Sequence, residues 1–186
     1  MLARAMQTER VRLTENDLLA MQLPDALWSA TLSDDQRKVV EKVFQKGGRG
    51  CWHVLFSQDG LRLRQVAAVI AKELARRLHS VLWLDVASFI ADPFGEVGND
   101  DLGFFDRISS VQHLFLDAFS DPVFNHLFNN RWGVSLMSII KRRYFRGLGV
   151  FILIDDEPGS RSLIAGRFGL PQDKAVIIDA VTAEER

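Results

Sequence analysis

Five short apolar runs, rich in β-branched and aromatic residues, constrain the fold of this chain more than any other feature of its sequence. They lie at residues 52–57, 80–86, 111–119, 149–155 and 174–179. Each run is continuously apolar rather than alternating, which is typical of strands buried on both faces. Helical or mixed segments separate the runs. The sequence therefore predicts an α/β fold, doubly wound, with a mainly parallel five-stranded sheet and helices on both faces.

The segments between the runs carry the periodicity of helices. Directly after the first run, one apolar stripe at helical spacing comprises Leu63, Val66, Ala67, Ile70, Leu74 and Leu78. Such a stripe is what a helix buries against a sheet. Residues 134–144 and 160–167 are two further helix candidates.

Two helix starts precede the first strand. Thr14 is a candidate N-cap, and Ser33 with Gln36 three residues later forms a capping-box pattern. The glycines at 47–48 are expected just beyond the end of the second of these helices.

Length and composition favour a soluble protein with one main domain. The chain has 186 residues, 47% of them hydrophobic, and a net charge of -1. No run approaches the roughly 18 uninterrupted apolar residues of a membrane helix, and the N-terminus lacks the apolar segment of a signal peptide. We expect a cytoplasmic protein without membrane contact. It would comprise an N-terminal flank or short docking arm at 1–32 and a single domain at 33–186, with the lone Cys51 as a small buried hydrophobe.

Acidic residues stand at or near the ends of four of the predicted strands, namely Asp85, Asp117, Asp155 and Asp179. Ligands of open parallel sheets bind beyond the carboxyl ends of the strands, so these side chains should share one edge. Two interpretations remain open. The aspartates would serve a small α/β hydrolase or transferase, with or without a divalent metal, or they are ordinary acids where buried strands meet solvent. No recognised nucleophile or metal-ligand motif is present, so we predict no catalytic residue and no metal.

The turn after the first strand has the layout of a phosphate-binding loop without its chemistry. On the pattern G-x-x-x-x-G-K-[ST], the candidate loop residues are Ser57, Asp59, Gly60, Arg62, Leu63 and Arg64. Leu63 takes the place of the lysine and Arg64 that of the magnesium-binding hydroxyl, while Asp59 brings a negative charge to where phosphates would lie. A nucleotide binder that uses Arg62 or Arg64 instead of the lysine is a further alternative.

A longer succession of segments extends this observation. It runs from LPDALWSATLSD through the first strand and the glycine turn to AKELARRL, then VLWLDVASFI, VQHLFLDAF and SLMSIIKRRYFRGLGVFILID. In the order and spacing of its elements, this succession, roughly residues 18–180, resembles the AAA+ ATPase domain of DnaC-type helicase loaders and IstB-type transposition helper ATPases. The resemblance implies a P-loop NTPase-like fold for the domain at 33–186.

The resemblance also implies roles for individual positions, several of which are changed here. The Walker B strand of the family ends in two acids, whereas this chain has Asp117 followed by Ala118. A polar sensor residue follows the fourth strand of the family, whereas this chain has Asp155 and Asp156. The helix before that strand carries an arginine that acts on a neighbouring subunit's nucleotide, and Arg142 or Arg143 matches it.

Together, these changes remove the lysine and the magnesium-binding hydroxyl of the loop, the second Walker B acid and the polar sensor residue. Phosphoryl transfer depends on charge positioned around the phosphates. We therefore expect a degenerate AAA+-like domain, a pseudo-ATPase without a cofactor. It would act as a protein-interaction subunit in DNA replication, transposition or a related DNA-processing assembly. Its partner would be another protein of that assembly or a second copy of the chain.

A basic cluster near the fourth strand comprises Lys141, Arg142, Arg143 and Arg146. It is a candidate trans-acting arginine surface or a contact for nucleic-acid phosphates, and the interleaved Tyr144 and Phe145 add rings on which bases could stack. Basic residues are also favourable at any helix C-terminus. The cluster therefore leaves protein and nucleic acid open as partners.

Other aromatic residues and the histidines have ordinary interpretations. Candidate interface rings, which we expect to be core for the most part, are Phe104, Phe105, Phe124, Phe128 and Trp132. His53 and His113 fall in predicted strands and are expected to be core or edge histidines with satisfied ring nitrogens. His79 and His126 have no recognisable partner spacing.

Overall fold

A five-stranded sheet organises the part of the chain that the computed structural model describes, which is residues 11–46, 52–91, 101–119, 129–155 and 175–180. Strands β1 to β5 span Trp52–Ser57, Val81–Asp85, His113–Phe119, Gly149–Asp155 and Ala175–Asp179. Helices α1 to α6 span Glu15–Ala20, Asp34–Lys46, Gly60–Arg76, Val86–Ala91, Asp101–Ser110 and Arg131–Phe145. A short 3-10 helix covers Asp25–Leu27.

The strand order is β2-β3-β4-β1-β5, and every neighbouring pair is parallel. This order confirms the predicted fold class. All five predicted strands are present with boundaries within two residues of the predicted ones, because strands buried on both faces are visible in a sequence as continuous apolar runs.

The two faces of the sheet are covered by separate sets of helices. Residues such as Val54 and Phe56 of β1 join a core cluster with side chains from α4, α5 and α6. Leu55, between them, points to the other face and joins a cluster with side chains from α1, α2 and α3. The alternation of side chains along a strand thus makes β1 a member of both cores.

Four stacked rings cross the second of these faces. Trp83 of β2, Phe115 of β3, Phe151 of β4 and His53 of β1 occupy paired positions of neighbouring strands. Successive ring centroids are 5.6, 4.4 and 4.6 Å apart, with interplanar angles of 6°, 2° and 9°. We call this row the aromatic ladder.

The N-terminal helix starts follow the sequence prediction. The Thr14 side chain accepts from the backbone of Asp17 at the start of α1. At the start of α2, the Ser33 backbone donates to Oε1 of Gln36 at 2.9 Å, and the Gln36 backbone donates to the Ser33 hydroxyl at 3.4 Å. The predicted glycine stop at 47–48, like Cys51 and the predicted helix at 160–167, lies outside the described residues.

The end of α3 differs from its prediction. Leu78 was expected on the buried stripe, but it is 78% exposed. Helix α3 ends at Arg76, and Leu78 has a φ of 63° in the turn that follows. The helical spacing therefore no longer applies at that position. Lys72, expected largely off the stripe, is buried and donates to the carbonyl oxygens of Trp28 and Ala30 at 3.1 and 3.3 Å.

Two further helices were not predicted. Helix α4 follows β2 without a gap, and its sequence VASFIA is as apolar as a strand. Helix α5 supplies the buried Phe104 and Ile108, which confirms the core interpretation of Phe104. Within the described residues, no helix has the length and apolar character needed to cross a membrane.

Candidate functional site

The carboxyl edge of the sheet collects the strand-end aspartates, as predicted. Asp85 and Asp117 are paired positions of β2 and β3, and Asp155 of β4 is paired with Ser57 of β1. Asp179 of β5 is paired with the residue before Ser57. Parallel pairing therefore places all four carboxylates on one edge, together with the turn that enters α3.

The turn between β1 and α3 contains two residues, and its aspartate caps the helix. The Asp59 backbone donates to the hydroxyl of Ser57 at 2.9 Å. The Asp59 carboxylate accepts from the backbone of Arg62 at 3.1 Å and forms an ion pair of 3.1 Å with the Arg62 side chain. A helix N-terminus is where a phosphate-binding loop holds its anion. Here a carboxylate of the chain itself occupies that position.

Gly60 begins α3 in close contact with β4. A β-carbon at position 60 would lie 2.6 Å from Cγ of Asp155. Real β-carbons essentially never approach another atom so closely, so the Asp155 carboxylate can lie over the start of the helix only because residue 60 is glycine.

Arg64 joins the helix to two strands. Its Nε donates to Oδ1 and Oδ2 of Asp117 at 2.9 and 3.1 Å, and one of its terminal nitrogens lies 3.4 Å from Oδ2 of Asp155. The Asp117 side chain is 7% exposed and the Arg64 side chain 30%. Burial by itself would lower the pKa of Arg64, but the charges and hydrogen bonds of Asp117 and Asp155 raise it overall. We call Arg64, Asp117 and Asp155 the ion triad.

The remaining loop positions bring no phosphate-binding group to this edge. Leu63, in the place of the lysine, is fully buried in the core cluster of α3. Ala118 follows Asp117 within β3, at the place of the second Walker B acid. Among the described residues, no three side chains of the metal-ligating types converge in a group that could hold a metal ion.

The basic cluster is divided by the structure. Arg143 is 1% exposed, so its predicted place on an interaction surface is wrong. Its guanidinium donates to the carbonyl oxygens of Ile108 at 2.7 Å, Gly149 at 2.9 Å and Gln112 at 3.4 Å. Burial and the neighbouring charge of Arg146 lower the pKa of Arg143 to about 10. Arg143 is therefore an internal brace that joins α5, α6 and β4.

The other members of the cluster, Lys141, Arg142 and Arg146, are exposed. They lie at the end of α6, which leads into β4 at the amino edge of the sheet. The structure thus places these three exposed basic residues and the turn between β1 and α3 at opposite edges of the sheet.

The histidines also differ from expectation. Both ring nitrogens of His53 are buried without a hydrogen-bond partner, so this histidine is core but not satisfied. His79 does have a partner, because its Nδ1 lies 2.8 Å from Nε2 of His113. Neither this pairing nor the ion triad was predicted, since each depends on contacts between residues more than 30 positions apart.

Comparison with known proteins adds structural relatives. No protein-family model and no curated protein matches the chain. Among solved structures, DnaI is 20% identical with a TM-score of 0.59, covering 86% of this chain and 95% of that one. The DnaC helicase loader is 13% identical with a TM-score of 0.54, covering 84% and 99%. AMPPCP-bound DnaA from Aquifex aeolicus is 16% identical with a TM-score of 0.57 over 85% of this chain and 50% of DnaA.

The topology and these solved structures show a P-loop NTPase-like α/β fold. This chain shares that fold with DnaI, DnaC and DnaA, in agreement with the resemblance in sequence to the AAA+ domain of helicase loaders. The chain spans about half of the DnaA chain that it matches. At these identities the likeness concerns the fold, so the chemistry of the site has to be argued from its own residues.

Proposed function

We propose that this chain is a catalytically inactive AAA+-like protein, a pseudo-ATPase that serves as a protein-interaction subunit in DNA replication, transposition or a related DNA-processing assembly. The observation that carries the proposal is the ion triad. A P-loop site uses a hydroxyl at the position of Arg64 and an acid at the position of Asp117 to hold magnesium. In this chain the Arg64 side chain of α3 binds the Asp117 carboxylate directly.

The triad opposes magnesium binding by occupancy and by charge. A cation bound at Asp117 would have to displace a guanidinium that makes two short contacts with the carboxylate. Arg64 also reaches Asp155, the residue at the sensor position. One side chain thus satisfies two positions that would otherwise face the metal and the phosphates.

The turn between β1 and α3 also opposes phosphate binding. A phosphate-binding loop wraps its ligand with several free backbone N–H groups. The turn here has two residues between β1 and α3, and the Asp59 carboxylate already accepts from the backbone of Arg62. An incoming phosphate would have to displace the Asp59 and Asp155 carboxylates, which already bind Arg62 and Arg64 where a loop of the usual kind offers free donors.

The interaction role is supported by the fold and by its neighbours. One solved neighbour is a helicase loader and another is a DNA replication initiation factor. A domain with this fold that cannot bind phosphate still has surfaces on which another protein can bind. We therefore assign it the role of binding another protein of such an assembly, or a second copy of the chain. The cytoplasmic location and the domain division at residue 33 stay predictions.

Titration with ATP and magnesium tests the inactive site. Calorimetry at ATP concentrations of about 1 mM and above should give no binding heat. The midpoint of thermal unfolding should also stay the same, because a ligand that binds the native state must raise apparent stability by mass action. DnaA, whose structure contains bound AMPPCP, provides the positive control when it is titrated with AMPPCP. The rate of phosphate release from ATP in the presence of the chain should equal the rate in buffer alone.

Saturable ATP binding by the native chain would overturn the proposal and favour the arginine-based nucleotide binder. The interaction half is tested separately by mass spectrometry of proteins retained by the tagged chain, with and without ATP. Retention of the same DNA-processing proteins in both conditions is expected, and retention that requires ATP would contradict the proposal.

A further inference from the structure

A groove of about 610 Å³ lies between helices α2 and α3. Its volume is within the range of sites that bind small organic ligands. On α3, the lining residue nearest to the start of the helix is Val69, nine residues after Gly60 and so about 14 Å along the helix axis. The groove therefore borders the middle and the end of α3 rather than the turn that begins it.

Contacts within the chain border the groove at both ends. Residues 30–32, which lead into α2, form one border, and the buried Lys72 holds this segment through the carbonyl oxygen of Ala30 at 3.3 Å. At the other border, the guanidinium of Arg77 lies 4.2 Å from the centroid of the Phe44 ring and so links α3 to α2. Such a groove fits a compact ligand better than a helix or strand of another protein, which would have to continue past both borders.

The floor of the groove is apolar and half-buried. Leu32, Val40 and Phe44 pack against the core of this face of the sheet but keep part of their surface accessible, and Val69 is also half-buried. A ligand with an apolar body would remove this remaining surface from water, which is favourable.

Charged side chains surround this floor, and cations outnumber anions among the described residues that line it. The cations are Arg37, Lys72, Arg76 and Arg77, and the anions are Glu41 and Glu73. Burial and the charge of Arg76 lower the pKa of Lys72, so the cations of the groove act on one another. The excess of two positive charges matches a ligand with one or two negative charges, and not the higher charge of a nucleoside triphosphate.

Two of these cations can bind a further acceptor. Arg76 and Arg77 share the carboxylate of Glu73, with contacts of 3.6 and 3.4 Å. A strong charge-assisted hydrogen bond is shorter, at about 2.7–2.9 Å. Because each guanidinium has five N–H groups, these long contacts with one shared carboxylate leave both arginines able to bind another oxyanion.

We propose that the groove between α2 and α3 binds a small organic anion, a carboxylate or a phosphate monoester on an apolar body. The apolar body packs on Val40 and Phe44, and the oxyanion accepts hydrogen bonds from the guanidinium groups of Arg76 and Arg77. This site goes beyond the proposed function. It uses no residue of the ion triad or of the turn between β1 and α3, so either proposal can fail without the other.

Calorimetry of the whole chain with naphthoate and with naphthyl phosphate tests the site. Both probes carry one anionic group on an apolar body, and their relative affinities distinguish a carboxylate from a phosphate ligand. At least one should bind saturably with a dissociation constant of about 1 mM or less and raise the midpoint of thermal unfolding. Inorganic phosphate lacks the apolar body and naphthol lacks the strong anion, so each should bind at least about tenfold more weakly.

Three substitutions with different expected effects locate the binding in the groove. Arg76→Gln removes a donor to the oxyanion and should weaken binding of the tighter probe about tenfold. Glu41→Gln removes a negative charge from the rim and should strengthen it about twofold. Val40→Phe places a ring on the apolar floor and should abolish saturable binding. Arg142→Gln, the matched control, changes an exposed arginine of α6 on the other face and should leave the affinity unchanged.

Absence of saturable binding by both probes would overturn the proposal, and so would an unchanged affinity of Arg76→Gln. Weaker binding by Glu41→Gln would show that the groove does not select an anion. Naphthol bound as tightly as the anionic probes would reduce the site to an apolar patch and would also overturn the proposal. Thermal unfolding of each variant without ligand verifies that it is folded, and a gain of affinity in Glu41→Gln cannot come from loss of folding.

Discussion

At the scale of single residues, Arg142 and Arg143 are adjacent and chemically identical, yet they have opposite roles. Arg142 is exposed, whereas Arg143 is 1% exposed and bound to carbonyl oxygens of three segments. The apolar residues of α6 continue at helical spacing from Leu136 through Ile140 to position 143. That spacing was a signal in the sequence that Arg143 faces inward, but its charge favoured the surface interpretation.

Replacing these two arginines should have very different consequences. Arg143→Ala removes three charge-assisted hydrogen bonds from a buried site and should lower the free energy of unfolding by about 2–4 kcal/mol. Arg142→Ala, the matched control, should change it by about 0.5 kcal/mol or less. Urea unfolding followed by circular dichroism measures both. Equal losses in the two variants would mean that Arg143 does not brace the fold.

At the scale of elements, the strands were predictable and their partners across the sheet were not. Each strand is a local apolar run, so its presence is written in consecutive residues. The aromatic ladder depends on strand order and register, which bring Trp83, Phe115, Phe151 and His53 together from four separate strands. Helix α4 was missed because an apolar segment of six residues looks the same as a helix or a strand.

The ladder makes the sheet sensitive to acid through its terminal ring. Desolvation by burial lowers the pKa of His53 to about 4. Protonation is easier in the unfolded chain, whose histidines titrate near 6.5. His53 is therefore neutral and costs nothing electrostatically above pH 6.5. Stability should fall as the pH drops from about 6.5 to about 4, by on the order of 3 kcal/mol from this residue, and level off below.

The variant His53→Phe isolates this contribution, since it keeps a ring at the end of the ladder and removes the titrating group. Urea unfolding at several pH values should give parallel stability curves above pH 6.5 and a growing advantage for His53→Phe below it. His113 remains as a second titrating group in both proteins, its pKa lowered to about 4 by burial and by the charges of His79, Arg143 and His53. Parallel curves down to pH 4 would contradict the assignment to His53.

At the scale of the whole molecule, strands β2 to β5 carry acids at or near their ends at one edge of the sheet, and helices such as α3 and α6 carry bases near their ends at the other. Arg62 and Arg64, however, pair with acids at the first edge. The carboxyl edge carries Asp85, Asp117, Asp155 and Asp179, and the amino edge follows helix ends that carry Arg76, Arg107, Arg142 and Arg146. Acids near helix N-termini and bases near C-termini are each favourable, so the parallel topology itself produces this separation. The sequence predicted the acidic edge from topology, but the ion triad links positions 53 and 91 residues apart and could not be predicted.

The ion triad should stabilise the carboxyl edge of the sheet. Arg64→Ala removes the cation of the ion triad and should lower the free energy of unfolding by about 1–3 kcal/mol. Arg62→Ala, the matched control on the same helix, removes an ion pair between two largely exposed side chains and should lower it by about 1 kcal/mol or less. Urea unfolding followed by circular dichroism measures both variants. Equal losses in the two would mean that the buried contact with Asp117 adds no stability beyond that of a surface ion pair.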